Sequence, residues 1–151
     1  MPVAQLKEFL DQNEVHYLSI VHSKAYTAES IAKSAHVRGK ELAKTVIVKL
    51  DGRLAMAVLP STQKVHLDRL RKGAGAVSCE LAREEDFYGD FPGCELGAMP
   101  PFGNLFHMPV YVEPRLSEDD EIAFNAGSHS ELIRMDYKDF ARLVKPTVAD
   151  M

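Results

Sequence analysis

The chain has 151 residues, the size of one ordinary domain, and its 46% hydrophobic and 26% charged residues are typical of a globular protein. No apolar run approaches the roughly 20 residues that a membrane-spanning helix requires, so we expect no membrane role. The formal net charge of -4 argues against a protein that binds duplex DNA through a broad positive field.

The charge is unevenly distributed along the chain. Residues 24–72 carry eleven Lys or Arg against four Asp or Glu, whereas residues 79–151 carry six against fifteen. This pattern fits a basic patch that binds a short anionic ligand. It fits equally well a set of solvated helix and strand faces. Cys79 and Cys94 are expected to be free thiols, because the sequence does not start with an apolar signal segment and therefore favours a reducing, cytoplasmic compartment.

The first half of the chain alternates helix and strand signals. Apolar spacing predicts a helix over residues 3–13, a strand over 15–21 and a second helix from Thr27 to about Gly39. The clearest local signal is the Asp51-Gly52 pair between two β-rich runs, residues 45–50 and 53–59, which predicts a hairpin with a type I′ turn. A short basic helix that closes at Gly73 should follow.

The second half contains a segment of different character. After a short strand over 76–79 and a helical turn or two over 81–88, residues 89–103 hold four glycines and three prolines, yet they are apolar and flanked by structure. We interpret this segment as an ordered functional loop. Strands over 108–112, 121–125 and 131–135 and a helix over 137–144 complete one α/β (α+β) domain, residues 1–151, with a mixed, largely antiparallel sheet and peripheral helices.

The sequence lacks the residue spacing that is typical of several familiar kinds of catalytic centre. The histidines form no HxH or HxxxH pair and the cysteines form no CxxC, so no metal site is expected. Cys94 is either a nucleophile with a base beside it or a small buried hydrophobe. Ser128-His129-Ser130 lacks the second glycine of a GxSxG elbow, which makes a serine triad improbable. The six histidines are His16, His22, His36, His66, His107 and His129.

The loop and one lysine offer a different chemistry. Gly97 and Gly103 permit a close backbone approach, and Pro100 and Pro101 stiffen the chain between them, so exposed amides can face a developing oxyanion. A tight structural turn is the alternative. Lys44, among apolar neighbours, either projects from an otherwise buried strand or belongs to a solvated rim.

Taken together, these motifs resemble the YbaK/EbsC family, which includes free-standing relatives of the editing domain of bacterial prolyl-tRNA synthetase. The resemblance rests on Lys44 within residues 42–48, the Asp51-Gly52 hairpin, the GxxxP loop of residues 97–101 and the later residues 126–129, in that order. It implies the mixed α/β YbaK fold and hydrolysis of the ester in a mischarged aminoacyl-tRNA that carries a small amino acid. Ser128-His129 stands where several members have Lys-Arg, and this difference affects the expected specificity for the amino acid that is removed.

The resemblance also assigns roles to residues. Catalytic roles fall on Lys44 and on the loop residues Gly97, Ala98, Met99, Pro100 and Pro101. A substrate-binding role falls on Gly127. Beyond the resemblance, we expect Ser128 to bind substrate and His129 to contact the amino acid or to move a proton. The expected walls of a small apolar pocket are Met56, Val58 and Phe102. No cofactor or metal is implied. The expected partners are the acceptor end of aminoacyl-tRNA and an aminoacyl-tRNA synthetase. A non-enzymatic module that binds tRNA or a synthetase, and a pure interaction protein, are the alternatives.

Overall fold

A computed structural model describes residues 2–21 and 42–151. Its helices are α1 (Pro2–Gln12), α2 (Leu67–Ala74), α3 (Glu84–Phe87), α4 (Pro114–Ser117) and α5 (Tyr137–Val144), and a 3-10 turn spans Gly103–Leu105. Its strands are β1 (Tyr17–Val21), β2 (Leu42–Leu50), β3 (Arg53–Pro60), β4 (Cys79–Leu81), β5 (Val110–Val112), β6 (Glu121–Asn125), β7 (Glu131–Asp136) and β8 (Thr147–Val148). The helix expected between Thr27 and Gly39 lies outside the described residues.

All eight described strands join one mixed sheet in the order β1-β7-β6-β2-β3-β5-β8, and β4 also pairs with β2. Four of the pairings are antiparallel, and the pairings β2-β6, β3-β5 and β5-β8 are parallel. The predicted fold class, a mixed and largely antiparallel sheet with peripheral helices, is confirmed. Of the helices described, none is long and apolar enough to cross a membrane.

The β2-β3 hairpin forms where the sequence predicts it. Leu50 pairs with Arg53 across a two-residue turn, and both Asp51 and Gly52 have positive φ, 52° and 81°, as a type I′ turn requires. The Asp51 carboxylate accepts hydrogen bonds from the amides of Val77 and Ser78 at 2.9 Å. Those amides are therefore occupied, and β4 begins at Cys79 rather than at residue 76.

Hydrophobic residues cover both faces of the β2-β3 pair, because alternate residues of a strand point to opposite faces. Ile47 and Met56 belong to the larger core, to which α1 contributes Leu6 and α5 contributes Phe140. On the other face, a second core contains residues of the same two strands, of α2 and of the C-terminal segment: Val48, Ala55, Leu59, Leu70 and Met151.

An aromatic cluster anchors the end of the glycine- and proline-rich loop in the larger core. Phe102 is fully buried, and its ring centroid lies 6.2 Å from that of Phe9, 5.4 Å from that of Phe124 and 5.5 Å from that of Phe140. Aromatic pairs at such separations stabilise a core beyond the burial of their area. The contacts of Phe102 with α1, β6 and α5 therefore fix the C-terminal end of the loop.

Two short elements differ from the sequence expectation. Of the helical turn or two expected over residues 81–88, only α3 forms. Leu81 belongs to β4, where it pairs with Val48 of β2. The Asp86 side chain caps the start of α3 by accepting a hydrogen bond from the Arg83 amide. The short helix α4 was not expected. Pro114 at its first position and the Glu113 carboxylate, which accepts from the Arg115 amide at 2.7 Å, explain why it forms.

Replacement of Gly103 should destabilise the fold sharply. A Cβ at this position would lie 2.2 Å from the carbonyl oxygen of Met108 and 2.6 Å from Cγ2 of Val110, and the backbone would have to move. We expect Gly103→Ala to lower the free energy of unfolding by about 3 kcal/mol, measured by urea denaturation.

Gly89→Ala is the control for this substitution. Gly89 has a φ of 89° but no heavy atom within 4 Å of the added Cβ, so only the backbone strain of about 1 kcal/mol is expected. Equal losses in the two variants would contradict the steric explanation for Gly103.

Candidate active site at the end of strand β6

Lys44 lies near the start of β2, beside the end of β6. The parallel register pairs Leu42 with Ala123 and Ala43 with Phe124, so that Lys44 follows these pairs at the level of Asn125. The Asn125 side-chain oxygen is buried and accepts no hydrogen bond from any described residue. Sequence reasoning missed Asn125 as a site residue, because only the strand register brings it beside Lys44.

Burial changes the acidity of Lys44. Its side chain is partly buried, and this desolvation lowers the pKa of the ammonium group, with the nearby charge of Lys64 lowering it further. Within the described part of the chain, Lys44 has no carboxylate partner, although Lys49 on the same strand pairs with Asp86 at 3.0 Å. The Lys44 ammonium is therefore available to an anionic ligand.

The GxxxP loop begins with a tight turn. The Ala98 amide donates to the carbonyl oxygen of Glu95 at 3.0 Å, and Gly97 inside this turn has a φ of 81°, a conformation that favours glycine. Gly97 is exposed, whereas Ala98 and the residues after it are buried. The turn thus presents the backbone of Gly97 to solvent while its C-terminal side is fixed in the core.

Two backbone hydrogen bonds join this turn to the segment that follows β6. The Gly127 amide donates to the carbonyl oxygen of Ala98 at 2.8 Å, and the Glu95 amide donates to the carbonyl oxygen of Gly127 at 2.9 Å. Gly127 stands two residues after Asn125, so this junction brings the predicted loop 97–101 and the predicted residues 127–129 to the strand end beside Lys44.

His129 adds a side-chain contact to the same junction. Its Nε2 lies 2.7 Å from the carbonyl oxygen of Leu96, and since a carbonyl only accepts, Nε2 carries the proton. In the neutral imidazole Nδ1 is then an acceptor, and this atom is buried with no donor among the described residues. The imidazole therefore holds the loop with one nitrogen and presents a lone pair with the other.

Ser128 has a local structural contact. Its Oγ lies 2.7 Å from Oγ of Ser130 and accepts from the Ser130 amide at 3.0 Å, which stabilises the turn between β6 and β7. The ring of His129 bonds Leu96 instead of this hydroxyl. The described residues therefore contain no Ser128-His129 hydrogen bond of the kind that activates a serine.

The loop has fewer available amides than its length indicates. Pro100 and Pro101 have no N–H, and the Ala98 amide is used inside the turn. In residues 97–101 this leaves the amides of Gly97 and Met99, neither of which donates to another described residue. An oxyanion site at this loop therefore has two candidate backbone donors.

The three residues expected to wall an apolar pocket lie in the core instead. Met56 and Val58 are fully buried and pair with Ile47 and Thr45, which puts them on the face of the sheet opposite to Lys44. Phe102 is fully buried in the same core. None of the three has exposed surface with which to contact a ligand in this conformation.

A cleft of about 370 Å³ borders the loop on the side of α3. Leu96 and Met99 of the loop line it, together with Cys94 and aromatic residues that include Tyr88. Burial raises the pKa of the Cys94 thiol, and no described residue donates a hydrogen bond to it or accepts one from it. In residues 2–21 and 42–151, no three His, Cys, Asp or Glu side chains gather into a metal site.

Comparison with known proteins identifies the family. The model of the aminoacyl-tRNA editing domain matches residues 22–143. The chain belongs to this family. The resemblance that the motifs carry is thus confirmed at the family level.

Individual relatives and solved structures show how widely the similarity extends. The chain is 27% identical to the multifunctional Ser/Thr-tRNA deacylase ProXp-y of Escherichia coli, over 97% of this chain and 90% of that protein. It is 28% identical to a proline–tRNA ligase of Streptomyces coelicolor over 60% of this chain, which is 16% of the ligase. The crystal structure of a putative trans-editing enzyme for prolyl tRNA synthetase has the same fold, with a TM-score of 0.82, 18% identity and coverage of 99% and 95% of the two chains.

Loss of the imidazole should loosen the junction between the loop and the β6-β7 turn. His129→Phe keeps a ring of similar size but removes the hydrogen bond to Leu96, worth about 1 kcal/mol. We expect the Ala98 and Gly127 amides to exchange with deuterium about five- to tenfold faster. His16→Phe, the same substitution at an exposed position, should leave these rates unchanged, and equal rates in both variants would contradict the role of His129.

The Cys94 thiol should react slowly at neutral pH. Because burial raises its pKa, the thiolate fraction at pH 7 is below that of an ordinary cysteine, and the rate of alkylation should keep rising beyond pH 9. The measurement uses iodoacetamide and mass spectrometry on a Cys79→Ala variant, with the urea-unfolded protein as the reference for an ordinary thiol. A rate that reaches its plateau below pH 8 would instead indicate an activated nucleophile.

Proposed function

We propose that this chain is a trans-editing hydrolase that removes a small amino acid from mischarged tRNA. The observation that supports this most directly is the junction of Gly127 with the 95–98 turn. One end of the sheet thereby carries two amides that donate to no described residue, an imidazole acceptor and a partly buried lysine. Membership of the aminoacyl-tRNA editing domain family supports the substrate class.

The proposed reaction requires neither a serine triad nor a metal ion. An aminoacyl ester is already an activated acyl group, so hydrolysis needs an oriented water and stabilisation of negative charge on the carbonyl oxygen. The water oxygen bonds to the carbonyl carbon, the bond from that carbon to the ribose oxygen breaks, and the ribose oxygen gains a proton that the water loses. The products are the free amino acid and uncharged tRNA.

The amides of Gly97 and Met99 are the proposed donors to the carbonyl oxygen. Both lack an acceptor among the described residues, and Gly97 is exposed at the tip of its turn. Fixed backbone donors stabilise an oxyanion well because they need no reorganisation when the charge develops. Ala98, Pro100 and Pro101 then act as positioning residues that hold the two amides in place.

Lys44 is proposed to bind an anionic or polar oxygen of the terminal nucleotide. Its ammonium has no carboxylate partner in the described part of the chain, and its partial burial strengthens an interaction with phosphate or ribose oxygens. By this proposal, Lys44 fixes the nucleotide while the loop amides stabilise the carbonyl. A neighbouring hydroxyl of the same ribose helps to deliver the water.

His129 is proposed to contact the amino acid or to move a proton. In the neutral ring Nδ1 carries a lone pair with no partner among the described residues, so it can accept a hydrogen bond from the substrate ammonium, from a side-chain hydroxyl or from the attacking water. The buried oxygen of Asn125 is a second acceptor at the same strand end. Two acceptors favour a small amino acid with donors to offer, which agrees with the Ser/Thr-tRNA named for the Escherichia coli relative.

The proposed partner is the acceptor end of aminoacyl-tRNA in the cytoplasm, where tRNA is charged, and an aminoacyl-tRNA synthetase is a further proposed partner. The similarity to part of a proline–tRNA ligase supports the link to a synthetase. The basic segment of residues 24–72 is proposed to meet the acceptor stem, which would make the affinity salt-dependent.

Removal of the Lys44 ammonium should impair hydrolysis. The test uses a panel of mischarged tRNAs, seryl-, threonyl- and alanyl-tRNA among them, and measures loss of the ester with the wild type and with Lys44→Ala. We expect kcat/KM to fall about 100-fold, because a charge-assisted hydrogen bond is lost. Unchanged hydrolysis would remove Lys44 from the mechanism.

Lys49→Ala is the matched control, because Lys49 lies on the same strand with its side chain on the opposite face and already pairs with Asp86. It should retain hydrolysis within about threefold. A non-enzymatic module that recruits tRNA or a synthetase is the alternative function, and it predicts tRNA binding by the wild type without loss of the ester from any tRNA in the panel.

A further inference from the structure

We propose that Lys64 and Lys44 together form a two-ammonium site for a phosphodiester of the single-stranded acceptor end. This inference rests on the proposed function and deepens it. Lys64 is a binding residue that neither the motifs nor the family resemblance identifies.

The turn after β3 brings Lys64 to the start of β2. The Ser61 amide donates to the carbonyl oxygen of Leu42 at 2.8 Å, and the Gln63 amide donates to the carbonyl oxygen of Pro60 at 2.9 Å. The turn of residues 60–63 therefore lies beside the first residue of β2. Lys64 follows this turn directly, and Lys44 pairs with Leu59 just before it.

The two lysines influence each other electrostatically. The charge of Lys64 is close enough to contribute, after desolvation, to the lowered pKa of Lys44. Two positive charges that are close enough to interact repel each other unless an anion lies between them. The arrangement is therefore unfavourable in the free protein and becomes favourable when a phosphate binds.

Two basic residues of α2 have an acidic partner, whereas Lys44 and Lys64 have none among the described residues. Arg71 and Lys72 both pair with Asp68, at 2.9 and 3.4 Å. Lys44 and Lys64 have no carboxylate partner among the residues that the structure describes. An uncompensated pair of ammonium groups is complementary to phosphate, which accepts hydrogen bonds from both.

The ligand class follows from the position of the pair. The loop amides and Lys44 lie at the same strand end, where the aminoacyl ester of the terminal nucleotide is proposed to bind. A phosphodiester one link away from that ester is the nearest anion in the substrate. Lys64, exposed beyond the turn, is therefore assigned to the backbone of the single-stranded end rather than to the ester or to the amino acid.

The test compares two substrates that differ in their phosphates. Mischarged tRNA carries the phosphodiester, whereas a 2′(3′)-aminoacyl-adenosine with the same amino acid carries none. Lys64→Gln should lower kcat/KM about tenfold on the tRNA and leave it within about twofold on the adenosine ester. The slope of the logarithm of affinity against the logarithm of salt concentration should fall in magnitude by about 0.7, the value for one contact to single-stranded nucleic acid.

Lys138→Gln is the matched control. It removes the same charge from an exposed position on α5, whose Phe140 packs in the larger core away from the face of Lys44. Equal effects of the two variants on the tRNA substrate would overturn the inference, because they would reflect net charge alone. Equal losses by Lys64→Gln on both substrates would also overturn it, because the adenosine ester has no phosphate to lose.

Binding separates failure of this inference from failure of the proposed function. The dissociation constant for uncharged tRNA is measured for the wild type and both variants over a series of salt concentrations. Weaker binding by Lys64→Gln than by Lys138→Gln supports the phosphate site even when the wild type hydrolyses no ester, and in that case only the proposed reaction fails. Binding equal to that of Lys138→Gln rejects the site whatever the activity.

Discussion

The reciprocal hydrogen bonding between Gly127 and the 95–98 turn is the constraint on which the candidate site depends. Each partner donates one backbone amide and accepts one, so the loop and the end of β6 are fixed at two points. The imidazole of His129 adds a third contact, to Leu96. With Phe102 anchored in the aromatic cluster, the segment that carries the Gly97 and Met99 amides is held from both sides.

This rigidity matters for the proposed chemistry because backbone donors act through geometry alone. A backbone amide donates in one direction only. It stabilises a developing oxyanion best when the amide is held rigidly in place. The surrounding side chains act mostly as supports: Ser128 stabilises its own turn, and Met56, Val58 and Phe102 fill the core behind the site. The ammonium groups of Lys44 and Lys64, the side-chain oxygen of Asn125 and Nδ1 of His129 have no partner among the described residues, and they supply charge or acceptors instead.

Local sequence signals were reliable where the physical cause is local. The Asp51-Gly52 turn requires positive φ at two successive residues, so it could be predicted together with its strands. The strand β6 and the helix α5 likewise have the predicted bounds. The position of β4 could not be predicted, because the Asp51 carboxylate binds the amides of Val77 and Ser78 across a distance in sequence that no local pattern encodes. The short strand β8 depends on its pairing with β5 in the same way.

The sequence by itself determined the fold class, the hairpin and, through the resemblance of its motifs, the family, since each of these follows from the order and local conformation of short segments. The tertiary structure alone decided which residues share a face and which loop amides donate to no described residue. Strand alternation removed Met56 and Val58 from the face of Lys44, and the turn at Glu95 used the Ala98 amide and left those of Gly97 and Met99. Both outcomes depend on pairing between distant segments, which residue types along one chain do not specify.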